Sequence, residues 1–177
     1  MYQNTNLAAD EPLEEPPMNF DRATCRRLHE AHETTLDLMA RLEARIARRV
    51  PPLQDASEST FWRALAIALK DEIRHHFDFE EQRLFPLLDA VGEADIGALL
   101  AEEHAIIREV GESVLAHATG MPVIEAGAWT ALRESAAELV ERLTAHIQKE
   151  EMALLPALEQ ALDEVTDRDL SLEYAAG

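Results

Sequence analysis

Two stretches of this chain carry the same set of reactive side chains. The first runs His76-Phe77-Asp78-Phe79-Glu80-Glu81-Gln82-Arg83-Leu84-Phe85-Pro86, and the second His146-Ile147-Gln148-Lys149-Glu150-Glu151-Met152-Ala153-Leu154-Leu155-Pro156. They align residue for residue at an offset of 70, each with a His and a Glu four apart, then a Leu and a Pro. On an α-helix four residues turn through ~400°, which leaves the two side chains ~40° apart and ~6 Å along the axis. An imidazole and a carboxylate then share one stripe, close enough to hold one metal ion or to serve two adjacent ones. The stripe is otherwise apolar: Leu69, Ile73, Leu84 and Leu87 frame the first pair, and Leu139, Leu143, Leu154 and Ala157 the second. Steps of three and four mark the buried face of a bundle helix. A single His–Glu pair four apart is an ordinary helical contact. Two pairs where core residues belong need compensation, because a buried carboxylate is costly unless it is paired or bound to metal.

The elements that must position these pairs follow from periodicity and breakers. A first helix is expected from about Asn19 or Asp21, either able to cap it, with Phe20, Leu28, Leu36, Met39, Leu42 and Ile46 inward and His32 on the same stripe; Pro51-Pro52 stop it. Ser57 or Ser59 can cap the second helix, which Pro86 should kink or end, with a last turn possible before Gly92. Asp95 can cap a third helix running to about Ala118, in which His104 lies 72 residues after His32. Gly111 is a weak spot there or a point of close approach. Thr119-Gly120-Met121-Pro122 read as a turn. A fourth helix then places Trp129, Leu132, Leu139 and Leu143 inward. The chain is thus two similar αα hairpins, and short connections make successive helices antiparallel. The expected fold is all-α: an up-down-up-down four-helix bundle over residues 19–163, with an acidic, Pro-rich tail at 1–18 and a C-terminal appendage or fraying tail at 164–177.

Composition narrows the function. The chain has 177 residues, 47% of them hydrophobic, enough for one domain with a sizeable core. Its 16 basic and 35 acidic residues give a net charge of −19, which argues against nucleic acid and anionic membrane as partners. Cys25 is the only cysteine, so an intramolecular disulfide and a Cys-based zinc or iron–sulfur site are excluded within one chain. No apolar run approaches membrane-spanning length, and no basic-then-apolar leader opens the sequence. The default expectation is a reducing, cytoplasmic location. Oligomeric state is not legible.

Stacked together, the hairpins bring six candidate ligands to one level: His32, His76, Glu80, His104, His146 and Glu150. Four imidazoles and two carboxylates without a thiolate suit a borderline-hard transition metal. Two repeated halves divide the set between two ions, with the carboxylates able to bridge them. Iron is the first choice and manganese the second; zinc fits less well, because structural zinc favours a closed set of four ligands. Among the other histidines, His29 lies one turn before His32 and within reach of the site, His75 points ~100° away from His76, and His117 suits a helix end. Glu81, Glu103 and Glu151 are read as hydrogen-bonding the ligands or facing solvent.

On His32, His104 and the doubled His-x-x-x-Glu-Glu-x-x-Leu-x-Pro motif, the chain resembles the hemerythrin-like, or HHE cation-binding, family over about residues 20–160. The resemblance implies a non-haem di-iron site, oxo- or hydroxo-bridged, with His32, His76, His104 and His146 as terminal ligands and Glu80 and Glu150 as bridges. It implies O2, NO or peroxide as small ligand, or iron itself, in binding, sensing or stress handling. An enzyme acting on peroxide or nitric oxide, or supplying iron for cluster repair, is the alternative; a structural metal is a third reading. Oxygen-carrying members have a further His one turn after the third-helix ligand and place the last carboxylate five residues after its His. Here the first position is Arg108, and Glu150 and Glu151 stand at four and five.

Substitution separates ligands from bystanders. His76→Ala, His146→Ala, Glu80→Ala and Glu150→Ala should each lower the metal content of the purified protein, while His75→Ala and His117→Ala leave it unchanged. Loss of metal in Glu151→Ala but not in Glu150→Ala would establish the five-residue spacing instead.

Overall fold

The computed structural model describes residues 19–51, 55–118 and 126–176, with the side chains of 117, 118 and 126 left aside. The expectations for the 1–18 tail, Pro52, the turn at 119–122 and the His117 side chain lie outside the described residues. Among those residues there is no strand. Helix α1 is Ala23–Ile46, α2 covers residues 56–91, α3 is Ala94–Ala118, α4 covers residues 126–161 and α5 is Glu164–Ala176. The first four form the expected up-down-up-down bundle, in which α1 packs on α4, α4 on α3 and α3 on α2. No helix among the described residues is long and apolar enough to cross a membrane.

The caps differ from those expected from sequence. Neither Asn19 nor Asp21 caps α1: its N-cap is Arg22, whose side chain makes no cap hydrogen bond. The free amides are taken from a distance. Ala23 and Thr24 donate to the two carboxylate oxygens of Asp167 at 2.9 and 2.8 Å, and the Arg22 amide donates to Glu159 at 2.8 Å. A carboxylate from another helix satisfies two amides at once and sits at the positive end of the helix dipole. Helix α2 is capped by Asp55, which accepts from the Glu58 amide at 2.9 Å, and not by Ser57 or Ser59. Asp95 lies within the first turn of α3 instead of capping it. Gly92, at φ 88°, closes α2: its amide donates to Asp89 and that of Glu93 to Leu88, a Schellman arrangement. Gly111 marks a close approach, since a Cβ there would lie 2.7 Å from Ile73 Cδ1.

Pro86 and Pro156 do not end their helices. Each follows a single π turn, Glu80–Leu84 and Glu150–Leu154, in which the Phe85 and Leu155 amides reach back five residues to Glu80 and Glu150. A third π turn covers Glu72–His76. The wider turn accommodates a proline that has no amide to give, and it takes up one residue more than an α turn. The buried stripe therefore shifts: Leu88 and Leu158 are fully buried, where strict α periodicity expects Leu87 and Ala157.

Two apolar clusters fill the bundle. One gathers Met39, Leu65, Leu69, Trp62, Trp129 and Leu143; the other gathers Cys25, Leu28, Leu84, Leu100 and Leu155. Along every helix of the bundle the His or Glu of interest falls between the two clusters. Cys25 is wholly buried, and burial with the nearby Glu159 and Asp167 carboxylates pushes its thiol pKa up, which keeps it inert. The C-terminal segment is an ordered helix: α5 packs on α1, with Leu170 in the second cluster and Ser171 accepting from Arg27 at 2.7 Å.

Asp167→Ala should strip two amides of their acceptor and lower stability by about 1–2 kcal/mol, read from the midpoint of chemical denaturation. An unchanged midpoint would show that the α5 carboxylate does not cap α1.

Candidate metal centre

The six residues singled out from sequence converge between the two apolar clusters. His32, His76, Glu80, His104, His146 and Glu150 are each 2% exposed or less. They fall into two overlapping groups, His32–His76–Glu80–Glu150 and His104–His146–Glu80–Glu150, with donor atoms within 4.8 Å of one another in each. Glu80 turns one oxygen to His76 Nε2 at 3.2 Å and the other to His104 Nε2 at 3.3 Å. Glu150 turns one to His32 Nε2 at 3.3 Å and the other to His146 Nε2 at 2.9 Å. Each carboxylate thus spans both groups. The alternatives at neighbouring positions lie apart: Glu151 points to the outer nitrogens of His29 and His32, and His29 stops at Glu151 without joining the cluster.

Every imidazole is fixed from behind. His32 Nδ1 meets Glu151 at 2.5 Å, His104 Nδ1 meets Glu81 at 2.8 Å, and His146 Nδ1 meets Glu103 at 2.9 Å. His76 Nδ1 meets the Tyr174 hydroxyl at 2.8 Å. Ionised carboxylates only accept, so in the neutral form Nδ1 carries the proton in the first three and Nε2 is left to present a lone pair inward. Glu81 is itself gripped by Arg108 and Glu103 by Lys149, and Arg108 also reaches Asp78. The His104 ring is stacked on Phe77 at 3.9 Å and 9°, with Phe85 at 5.7 Å. His75 lies outside the cluster, bonding the Tyr174 carbonyl at 3.0 Å and stacking on its ring.

This arrangement fits a metal better than it fits any set of hydrogen bonds. Both oxygens of Glu80, both of Glu150, and Nε2 of His104 and His146 are buried without a directed hydrogen bond, a costly state that native structures rarely leave uncompensated. His32 Nε2 and His76 Nε2 face each other at 3.3 Å, close enough to share one proton or one metal ion. Nitrogen and carboxylate donors without sulfur suit iron, manganese or zinc.

Sequence reading missed one member of this shell. Tyr174 sits on α5, outside the repeat, and no spacing links it to His76. Glu81, Glu103 and Glu151 were legible as neighbours of the ligands, but not which imidazole each would hold.

The family model for the hemerythrin HHE cation-binding domain matches residues 13–88 and 95–170. Uncharacterized proteins of Mycobacterium tuberculosis and Mycobacterium bovis are 29% identical over 98 residues, 55% of this chain. The match spans only 38% of the length of these curated relatives.

Protons compete with metal for these nitrogens. Burial alone would push the imidazoles down, but the carboxylates beside them more than offset it. Glu150 and Glu151 hold His32 up at about 9, and Glu150 and Glu80 hold His104 at about 9; His76 and His146 are raised as well. A histidine pKa raised by folding from ~6.5 contributes stability that is complete below ~6.5 and is lost as pH rises through the folded value. The melting temperature of the metal-free protein should therefore fall between pH ~6.5 and about 9. A flat profile in thermal denaturation would show that these carboxylates do not hold the imidazolium forms.

Proposed function

Because the chain belongs to the hemerythrin HHE cation-binding family, and so carries a metal-binding domain, we propose that it is a non-haem di-iron protein, its two ions held by His32, His76, His104, His146, Glu80 and Glu150. The observation that carries this reading is the pair of two-His groups sharing the same two carboxylates. Each carboxylate supplies one oxygen to each group, the disposition of a bridge, and neutral imidazoles fixed at Nδ1 supply the remaining donors. When bound, two iron ions supply redox chemistry and Lewis acidity toward small ligands.

The ligand is O2, NO or peroxide. All six donors lie between apolar clusters and are at most 2% exposed, so only a molecule of that size reaches them without opening the bundle. Two six-coordinate ions offer about 12 positions. Four imidazoles and two bridging carboxylates would occupy eight, and a bridge from solvent two more. Arg108 adds none: its guanidinium stays protonated and is turned to Glu81 and Asp78. About two positions remain open to small ligands on this count. The role that fits is a reactive centre handling oxidative or nitrosative stress, not reversible oxygen storage.

Azide or nitric oxide should change the optical spectrum of the iron-loaded protein, and the anaerobically reduced protein should oxidise on exposure to air. Reversible oxygen uptake through repeated cycles would overturn the stress reading in favour of a carrier, and two equivalents of iron failing to bind would overturn the di-iron assignment.

A further inference from the structure

The internal repeat sets out which group should stand behind each imidazole, and at one imidazole it is broken. Glu81 on α2 holds His104 and its counterpart Glu151 on α4 holds His32. Glu103 on α3, the residue before His104, holds His146. By the same rule the residue before His32, on α1, should hold His76. That residue is Ala31, whose methyl accepts no hydrogen bond. The partner of His76 comes instead from outside the repeat: the Tyr174 hydroxyl of α5, at 2.8 Å. The phenol is held by its ring, at 5.0 Å from both His75 and Phe79, and by its carbonyl, which accepts from His75.

A carboxylate and a phenol are not equivalent behind a ligand. A carboxylate that accepts the Nδ1 proton raises the basicity of Nε2; a neutral hydroxyl fixes the ring but raises it less. The His104–His146 group has two carboxylates behind it, Glu81 and Glu103. The His32–His76 group has one carboxylate and one phenol bonded to its Nδ1 atoms; the Glu72 carboxylate lies near His76 but accepts from Thr35 instead of from the ring. Resting on the metal-binding reading above, we propose that Tyr174 is a positioning residue that makes the two metal positions unequal: the His104–His146 position fills first, and the His32–His76 position fills second and depends on the Tyr174 hydroxyl.

The test is anaerobic titration of the metal-free protein with ferrous iron alone, followed by calorimetry. The wild-type protein should take up two equivalents in sequence, with affinities at least about tenfold apart. Tyr174→Phe keeps the ring against His75 and Phe79 and removes only the hydroxyl. It should leave the first equivalent in place and weaken the second by about 10–100-fold, the usual effect of losing an outer partner. Glu103→Gln should act on the first equivalent instead. Adding Ala31→Glu to Tyr174→Phe restores the partner that the repeat calls for and should return the second equivalent. Two equal equivalents in the wild type, or a Tyr174→Phe titration that matches it, would overturn the inequality while leaving the di-iron reading intact. So would a Tyr174→Phe/Ala31→Glu protein as weak as the single variant. A wild-type protein that takes up no iron would overturn both.

Discussion

Two carboxylates lie fully inside a helical bundle, and the rest of the structure is arranged around that cost. Glu80 and Glu150 are at most 1% exposed and accept no directed hydrogen bond. A buried carboxylate in that state would take up a proton or break the fold unless cationic partners surround it. The four imidazoles are those partners in the metal-free protein, where the carboxylates favour their protonated forms, and as metal ligands their usefulness depends on orientation. Each must present Nε2 inward, which it does only if Nδ1 is engaged from outside. Hence the outer ring of Glu81, Glu103, Glu151 and Tyr174, and behind it Arg108, Lys149 and His29. Behind Glu81 and Glu103 the charge alternates outward, with Arg108 and Lys149 steadying the carboxylates that steady the ligands.

The π turns serve the same end. A strict α-helix through His76 and Glu80 would meet Pro86 with a clash at the carbonyl four residues back. Opening one turn directly at Glu80, and again at Glu150, takes the strain where the backbone is already committed to the site. π turns concentrate at functional positions in helices generally, and here two of them begin at the shared carboxylates.

The bundle and the inner six residues were legible in the sequence because both are periodic. The apolar stripe and its two polar interruptions repeat at fixed spacing, and spacing is what a sequence displays. The caps were not legible, since Asn19 and Asp21 have the right chemistry for α1 but the amides go to Asp167, 144 residues beyond Ala23. Helix amides take whichever carboxylate tertiary packing brings, and local sequence does not encode that choice. The shift from Leu87 to Leu88 escaped for a different reason: the extra residue belongs to a π turn at Glu80–Leu84, and a count at α spacing passes over it. Tyr174 was hidden most completely, in a segment of weak periodicity that contacts the site only through the tertiary fold.

The crossed pattern of support bears on how such a chain can arise. Glu81 of the first hairpin grips His104 of the second, and Glu151 of the second grips His32 of the first. That reciprocity is the mark of a twofold axis, in which residue i of one copy meets residue j of the other and the reverse. Neither hairpin orients its own lone histidine. An ancestral single hairpin would have had no working site by itself, but two identical copies paired about the axis would have had a complete one. The present chain has the contact pattern of such a dimer within one polypeptide. In one polypeptide the two halves need not match, and where one half has Glu103 and the other Ala31, the C-terminal helix supplies the missing partner through Tyr174.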